Sequence, residues 1–218
     1  MSQKYVVLCD FDGTISDQDS LNPIYRQYAT CGTKFAEQWE RGEVGTREEM
    51  IETFQCIHAS RAQMENALDE INLDAGLMDL LAFCNRERLP FVILSDGLEW
   101  YIRYLLGKAG VEDVPVYANQ IRFLSDGGFA FEFPWFSPEN PRRGLHKPAI
   151  VKKYQSEGYR TIFIGNGGSD EDAVWKADAV FAKEPLYSYC VIHGIQAKHF
   201  ESMTELADCW KKNPPHFG

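Results

Sequence analysis

Two aspartates, Asp10 and Asp12, follow directly on the apolar run Tyr5-Val-Val-Leu-Cys9 and are followed by Gly13 and Thr14. Such a run reads as a buried strand, and alternate strand residues share a face. Asp10 and Asp12 then project the same way, while Phe11 turns back toward the core. Paired carboxylates so placed can hold a hard cation. One can also attack an electrophile while the other handles a proton. Gly13 lets the backbone approach a ligand closely, and Thr14 adds a hydroxyl donor.

Two further clusters stand behind apolar runs. Ser95-Asp96-Gly97 follows Pro90–Leu94, and Gly165-Asn-Gly-Gly-Ser-Asp170 follows Thr161–Ile164. In a parallel α/β sheet, ligands bind beyond the carboxyl ends of the strands. Ser95 offers a hydroxyl there, and the adjoining backbone N–H groups at a helix start suit phosphate oxygens. Lys147, in His146-Lys-Pro148 at another helix start, can offset charge on a phosphoryl group and on neighbouring carboxylates.

The elements that must position these residues are those of an α/β protein. Tyr5–Cys9, Pro90–Leu94, Thr161–Ile164 and Ala179–Ala182 read as buried parallel strands. Gly76–Arg88, Glu99–Ala109, Pro148–Glu157 and Asp170–Lys176 read as helices, with Pro148 in a first turn and Gly158 at a C-cap. Residues 17–75 carry several runs at helical spacing and are too long for a plain βα connection. They predict a small helical cap, in which Thr46 and Glu49 fit a capping box. The core is then 1–16 and 76–218. Alternation around Ser125-Asp-Gly-Gly128 predicts a β-hairpin over Ala118–Glu132, followed by a loop over Phe133–Leu145.

Composition narrows the function. A chain of 218 residues with 44% hydrophobic residues can bury a sizeable core. Its net charge of −10 argues against nucleic-acid binding and leaves an anionic substrate dependent on a local cation. The six cysteines are scattered with no C-x-x-C pair, which argues against zinc. No apolar run spans a bilayer, and the N-terminus reaches a strand almost at once, so neither a membrane nor a secretory leader is expected. The cytoplasm is the expected compartment.

The order Asp-x-Asp-Gly-Thr, strand-Ser, Lys and Gly-x-x-x-x-Asp resembles the haloacid dehalogenase superfamily of phosphotransferases. The resemblance runs from Lys4 to about Leu186. It implies a Rossmann-like core with a C1 cap at 17–75, in the phosphoserine-phosphatase-like branch, and within it a likeness to the methionine-salvage phosphatases. It implies Mg²⁺-dependent hydrolysis of a small phosphomonoester. Asp10 is then the nucleophile and a metal ligand. Asp12 is the general acid and then base, holding the metal through its backbone carbonyl. Thr14 and Ser95, with Asp96 and Gly97 beside it, hold substrate. Lys147 neutralises Asp10 and the phosphate. Asn166 takes the metal-ligand position and Asp170 supports the metal shell. Asp19 falls where such relatives place an acidic substrate contact.

The chain departs from that pattern twice. Asn166 stands where the family usually has Asp, which removes a negative charge. Trp135–Arg143 replaces a cysteine-rich stretch before the lysine. Arg47, Trp39, Phe54, Arg142 and Arg143 are further candidates for reading the leaving alcohol. Two other readings stay open: a phosphate-binding protein weakened in turnover by Asn166, and a receiver-type domain phosphorylated on Asp. A nicotinamide-binding domain is excluded, because no G-x-G-x-x-G follows the first strand.

Overall fold

The computed structural model describes residues 3–215. Among the described residues seven strands occur: β1 (Lys4–Cys9), β2 (Phe91–Leu98), β3 (Val116–Phe123), β4 (Phe129–Glu132), β5 (Tyr159–Gly165), β6 (Ala179–Ala182) and β7 (Lys198–His199). They form one sheet in the order β4-β3-β2-β1-β5-β6-β7. β1 lies parallel to β2 and β5, with Val7 opposite both Phe91 and Ile162. β5, β6 and β7 continue the parallel set, while β3 and β4 are antiparallel. Val6, Val7, Leu8 and Cys9 are fully buried, as a central parallel strand covered on both faces requires.

The helices are α1 (Leu21–Tyr28), α2 (Lys34–Glu40), α3 (Thr46–Gln55), α4 (Arg61–Ala67), α5 (Leu77–Arg86), α6 (Glu99–Lys108), α7 (Lys147–Ser156), α8 (Glu171–Val174), α9 (Leu186–Ile192) and α10 (Met203–Lys212). The helix expected over Asp170–Lys176 is shorter: a 3-10 turn at Gly168–Asp170 precedes the four residues of α8. None of the helices among the described residues is long and apolar enough to cross a membrane.

The contacts gather the chain into two compact units. One holds Met1–Asp17, Leu73–Leu94 and Lys147–Gly218; the other holds Gln18–Asn72 and Ser95–His146. Residues 95–146, expected within the core, thus group with the helical insert. The reason is aromatic packing. The β3–β4 hairpin pairs Ile121 with Phe131 and Phe123 with Phe129. Phe54 of α3 then meets Phe129 and Phe131 edge-on at 5.1 and 5.2 Å. The capping box expected at Thr46 and Glu49 is absent. Gly45 is the N-cap, and Thr46 already lies inside the helix. Among α1–α4 a full capping box forms at Ser60 and Gln63, at the start of α4.

Candidate active site

The Asp10–Thr14 segment winds tightly after β1. The Asp10 N–H donates to the Ile164 carbonyl at 2.8 Å, which fastens the strand end to β5. The N–H groups of Thr14, Ile15 and Ser16 then converge on the Phe11 carbonyl at 3.2, 2.8 and 3.0 Å. Phe11 is fully buried, as its place on the opposite face predicts. Gly13 has φ +74°, a left-handed conformation that a side chain disfavours. Asp10 is left almost wholly buried, and Asp12 half-buried.

Lys147 is the first residue of α7 and is 1% exposed. Its Nζ donates to Asp10 Oδ1 and to Asp170 Oδ1, both at 2.6 Å, and to Ser169 Oγ at 3.1 Å. Asp170 turns its other oxygen on the loop after β5, where Oδ2 accepts the N–H groups of Asn166 and Gly167 at 3.0 and 3.1 Å. This close approach needs a glycine at 165, where a Cβ would meet Asp170 Oδ2 at 2.5 Å. The Thr14 hydroxyl lies 3.1 Å from Asp10 Oδ2 and 3.0 Å from Asn166 Oδ1, and its single proton serves one of the two at a time.

Two buried carboxylates thus share one ammonium. Burial, the Asp170 charge and nearby Asp12 push the Asp10 carboxyl up to about 7, with Lys147 pulling the other way. Burial works to lower the Lys147 pKa, but Asp10 and Asp170 outweigh it and hold the group above the ordinary lysine range. With Asp10 ionised the cluster carries more negative than positive charge, on oxygen donors alone.

That donor set fits a hard cation such as Mg²⁺. Asp10 and the Asn166 amide oxygen meet around the Thr14 hydroxyl. Among the described residues no group of three or more His, Cys, Asp or Glu stands ready as a metal cluster. Asn166 contributes a neutral oxygen, and Asp170 has both oxygens engaged.

The structure brings together Asp10, Asp12, Thr14, Lys147, Asn166 and Asp170 within the first unit. Asp19, Ser95, Asp96 and Gly97 belong to the second. Ser95 is buried, and its Oγ accepts the N–H of half-buried Gly97 at 3.0 Å. Asp96, expected at the substrate, ties segments of the second unit. Oδ1 accepts the N–H groups of Gly144 and Leu145 at 2.8 Å, and Oδ2 accepts the Thr46 hydroxyl at 2.7 Å. Asp19 is exposed and accepts the Leu21 N–H at 2.9 Å, at the entry to α1. Arg47 stacks over Phe136 and Phe133, with its guanidinium carbon 4.0 and 5.2 Å from their ring centroids. Arg143 lies over Trp39, whose carbonyl accepts from Arg142.

Sequence reasoning passed over Lys183. It follows the last residue of β6, a strand-end position of the kind that drew attention elsewhere, and its Nζ donates to the Thr14 carbonyl at 3.0 Å.

A mostly parallel sheet carries a buried Asp–Lys–Asp cluster just beyond the ends of β1 and β5. The model of the haloacid dehalogenase-like hydrolase family matches residues 7–173, and the chain belongs to that family. A 2-hydroxy-3-keto-5-methylthiopentenyl-1-phosphate phosphatase from Bacillus pumilus is 25% identical over 209 residues, covering 94% of this chain and 90% of the relative. A protein of the same name from Brevibacillus brevis is 27% identical over 191 residues, covering 85% and 86%. Among solved structures, a phospho-aspartyl intermediate analogue of phosphoserine phosphatase superposes with TM-score 0.71 at 18% identity, covering 97% of this chain and 99% of that one. A substrate-bound phosphoserine phosphatase gives 0.69 at 18%, covering 97% and 99%. The structural likeness establishes the shared fold.

Proposed function

We propose that the protein is a Mg²⁺-dependent phosphomonoesterase that hydrolyses a small phosphorylated metabolite through an aspartyl phosphate on Asp10. The observation that carries this reading is the buried Lys147 ammonium, held 2.6 Å from both Asp10 and Asp170. Phosphoryl transfer needs positioning and charge neutralisation above all, and a fixed cation beside a carboxylate supplies both.

An Asp10 oxygen attacks phosphorus as the bond to the leaving alcohol breaks, and Asp12 gives that alcohol its proton. A water then attacks phosphorus, Asp12 takes its proton, and the Asp10–phosphorus bond breaks to free phosphate. Lys147 offsets charge on Asp10 and the phosphoryl group. Thr14 holds a phosphoryl oxygen. Asp170 acts through Lys147 and the Asn166 loop rather than on the substrate. Mg²⁺, held by Asp10, the Asp12 carbonyl and Asn166, would supply positive charge against the phosphoryl oxygens. The names of the bacterial relatives make 2-hydroxy-3-keto-5-methylthiopentenyl 1-phosphate the first metabolite to try, and a cytoplasmic setting suits it.

The test is phosphate release from an aryl phosphate with Mg²⁺, comparing the protein with Asp10→Asn. Release by the first and not the second is expected; equal rates would sink the assignment. Retention of the ester without turnover would instead favour a phosphate-binding protein, the reading that Asn166 keeps in play.

A further inference from the structure

We propose that Lys183 and Asp74 form a clamp that positions the Asp10–Thr14 loop for reaction. The inference rests on reading that loop as the reacting one. Lys183 Nζ donates to the Thr14 carbonyl at 3.0 Å and pairs with Asp74 Oδ2 at 3.5 Å. It also lies 5.5 Å from the Phe200 ring centroid. Only 18% of the Lys183 side chain and 13% of the Asp74 side chain reach solvent, so the pair is screened far less than a surface ion pair.

Asp74 and its neighbour Leu73 hold the next two residues of the same segment. The Asp74 N–H donates to the Ile15 carbonyl at 2.8 Å, and Leu73 bridges Ser16 in antiparallel fashion. Three consecutive residues, Thr14, Ile15 and Ser16, are thereby fixed from one side. The Asp74 carboxylate is itself anchored, accepting the N–H groups of Gly76 and Met203 at 2.9 Å. The chain leaves the first unit just after Asp17 and re-enters it at Leu73. Thr14–Ser16 and Asp74 thus lie beside this exit and re-entry in the chain.

The same short segment steadies the second loop of the site. The Lys183 N–H donates to the Gly165 carbonyl at 3.0 Å, and the Leu186 N–H to the Asn166 carbonyl at 2.9 Å. Asn166 and Thr14 face each other across 3.0 Å. Residues 183–186 thus set both partners of that contact. A charged donor on the Thr14 carbonyl is stronger than a neutral one, and a shift of that peptide moves the hydroxyl lying 3.1 Å from Asp10. Lys183 touches no reacting atom. It is a positioning residue.

The experiment follows hydrogen exchange of the peptide spanning residues 11–17 together with steady-state kinetics on an aryl phosphate, in Lys183→Met and Lys183→Arg. Exchange in that peptide is expected to rise about tenfold in Lys183→Met while the β5 peptide stays protected. kcat should fall at least about tenfold with KM little changed, as misplacement of a reacting group predicts. Lys183→Arg should restore both. Unchanged exchange at 11–17, equal loosening of every peptide, or no recovery with arginine would each overturn the clamp. Exchange decides the matter even for a protein that hydrolyses no ester, an outcome that would defeat the proposed function alone. Should Lys183→Met fail to fold, Asp74→Asn is read in the same way.

Discussion

The side chain of Asn166 lies across Gly13: a Cβ at position 13 would come within 2.3 Å of the Asn166 amide nitrogen. The glycine of the first motif is thus the seat of the third. Gly13 also has φ +74°. Gly13→Ala meets both obstacles, and the left-handed conformation alone costs about 1–2 kcal/mol. Phosphatase activity in Gly13→Ala should drop about a hundredfold, because the Asn166 side chain or the Asp10–Thr14 loop must move to admit the methyl group, and the two meet at the Thr14 hydroxyl. Activity and urea midpoint measured together check this, and a variant with native kinetics would show that the two loops part freely.

Asn166→Asp should tighten Mg²⁺ binding and weaken the metal-free protein. The new carboxylate would stand near Thr14 and Asp10, in a cluster where Asp10, Asp12 and Asp170 already outnumber Lys147. Like charges at such range destabilise each other until a cation joins them. Calorimetric titration with Mg²⁺ should show about tenfold tighter binding. The melting temperature in a chelator should fall below that of the unsubstituted protein, and the order should reverse in excess Mg²⁺.

The motifs were legible where short-range order creates them. An apolar strand that ends in Asp10 announces itself, and so does the alternation that makes the Phe123/Phe129 and Ile121/Phe131 pairs. The Lys147 position was readable from its helix start, although its reach to Asp170 was not. What stayed hidden depends on side chains meeting across the fold. Thr46 and Glu49 fit a local capping pattern. In the structure Gly45 takes the cap, Thr46 turns to Asp96, and Glu49 pairs with Thr53. Ser-Asp-Gly after a strand looked like substrate-binding backbone, and nothing in the spacing tells that Asp96 gathers Thr46, Gly144 and Leu145. Lys183 follows a strand of four residues, and its partner Thr14 is far away in sequence.

The Asp96 hub should be costly to remove. Asp96→Ala leaves the Gly144 and Leu145 N–H groups and the Thr46 hydroxyl without their acceptor. At about 1–3 kcal/mol for each buried donor left unsatisfied, with part recovered through water, a loss of about 3 kcal/mol is expected. Thr46→Val removes one of these three bonds and should cost about 1 kcal/mol. Urea denaturation of both variants gives the two values. An Asp96→Ala cost equal to that of Thr46→Val would mean that the backbone donors find new partners.

Glu49 should make the ligand-free protein less stable as the pH rises. It is 9% exposed, and burial pushes its carboxyl up to about 7, against the Thr53 hydroxyl that lies 3.1 Å from Oε1. In the unfolded chain the same group titrates near 4.5. The folded state thus holds the proton more tightly. Its contribution is fully present below about pH 4.5 and is lost as the pH climbs through about 7. Between pH 5 and 8 this amounts to on the order of 3 kcal/mol. Asp10 contributes a trend of the same sign, so the informative quantity is a difference between proteins. Glu49→Gln keeps an acceptor for Thr53 and cannot ionise. Its urea midpoint should fall less steeply between pH 5 and 8 than that of the unsubstituted protein, and parallel curves would show that Glu49 does not titrate in this range.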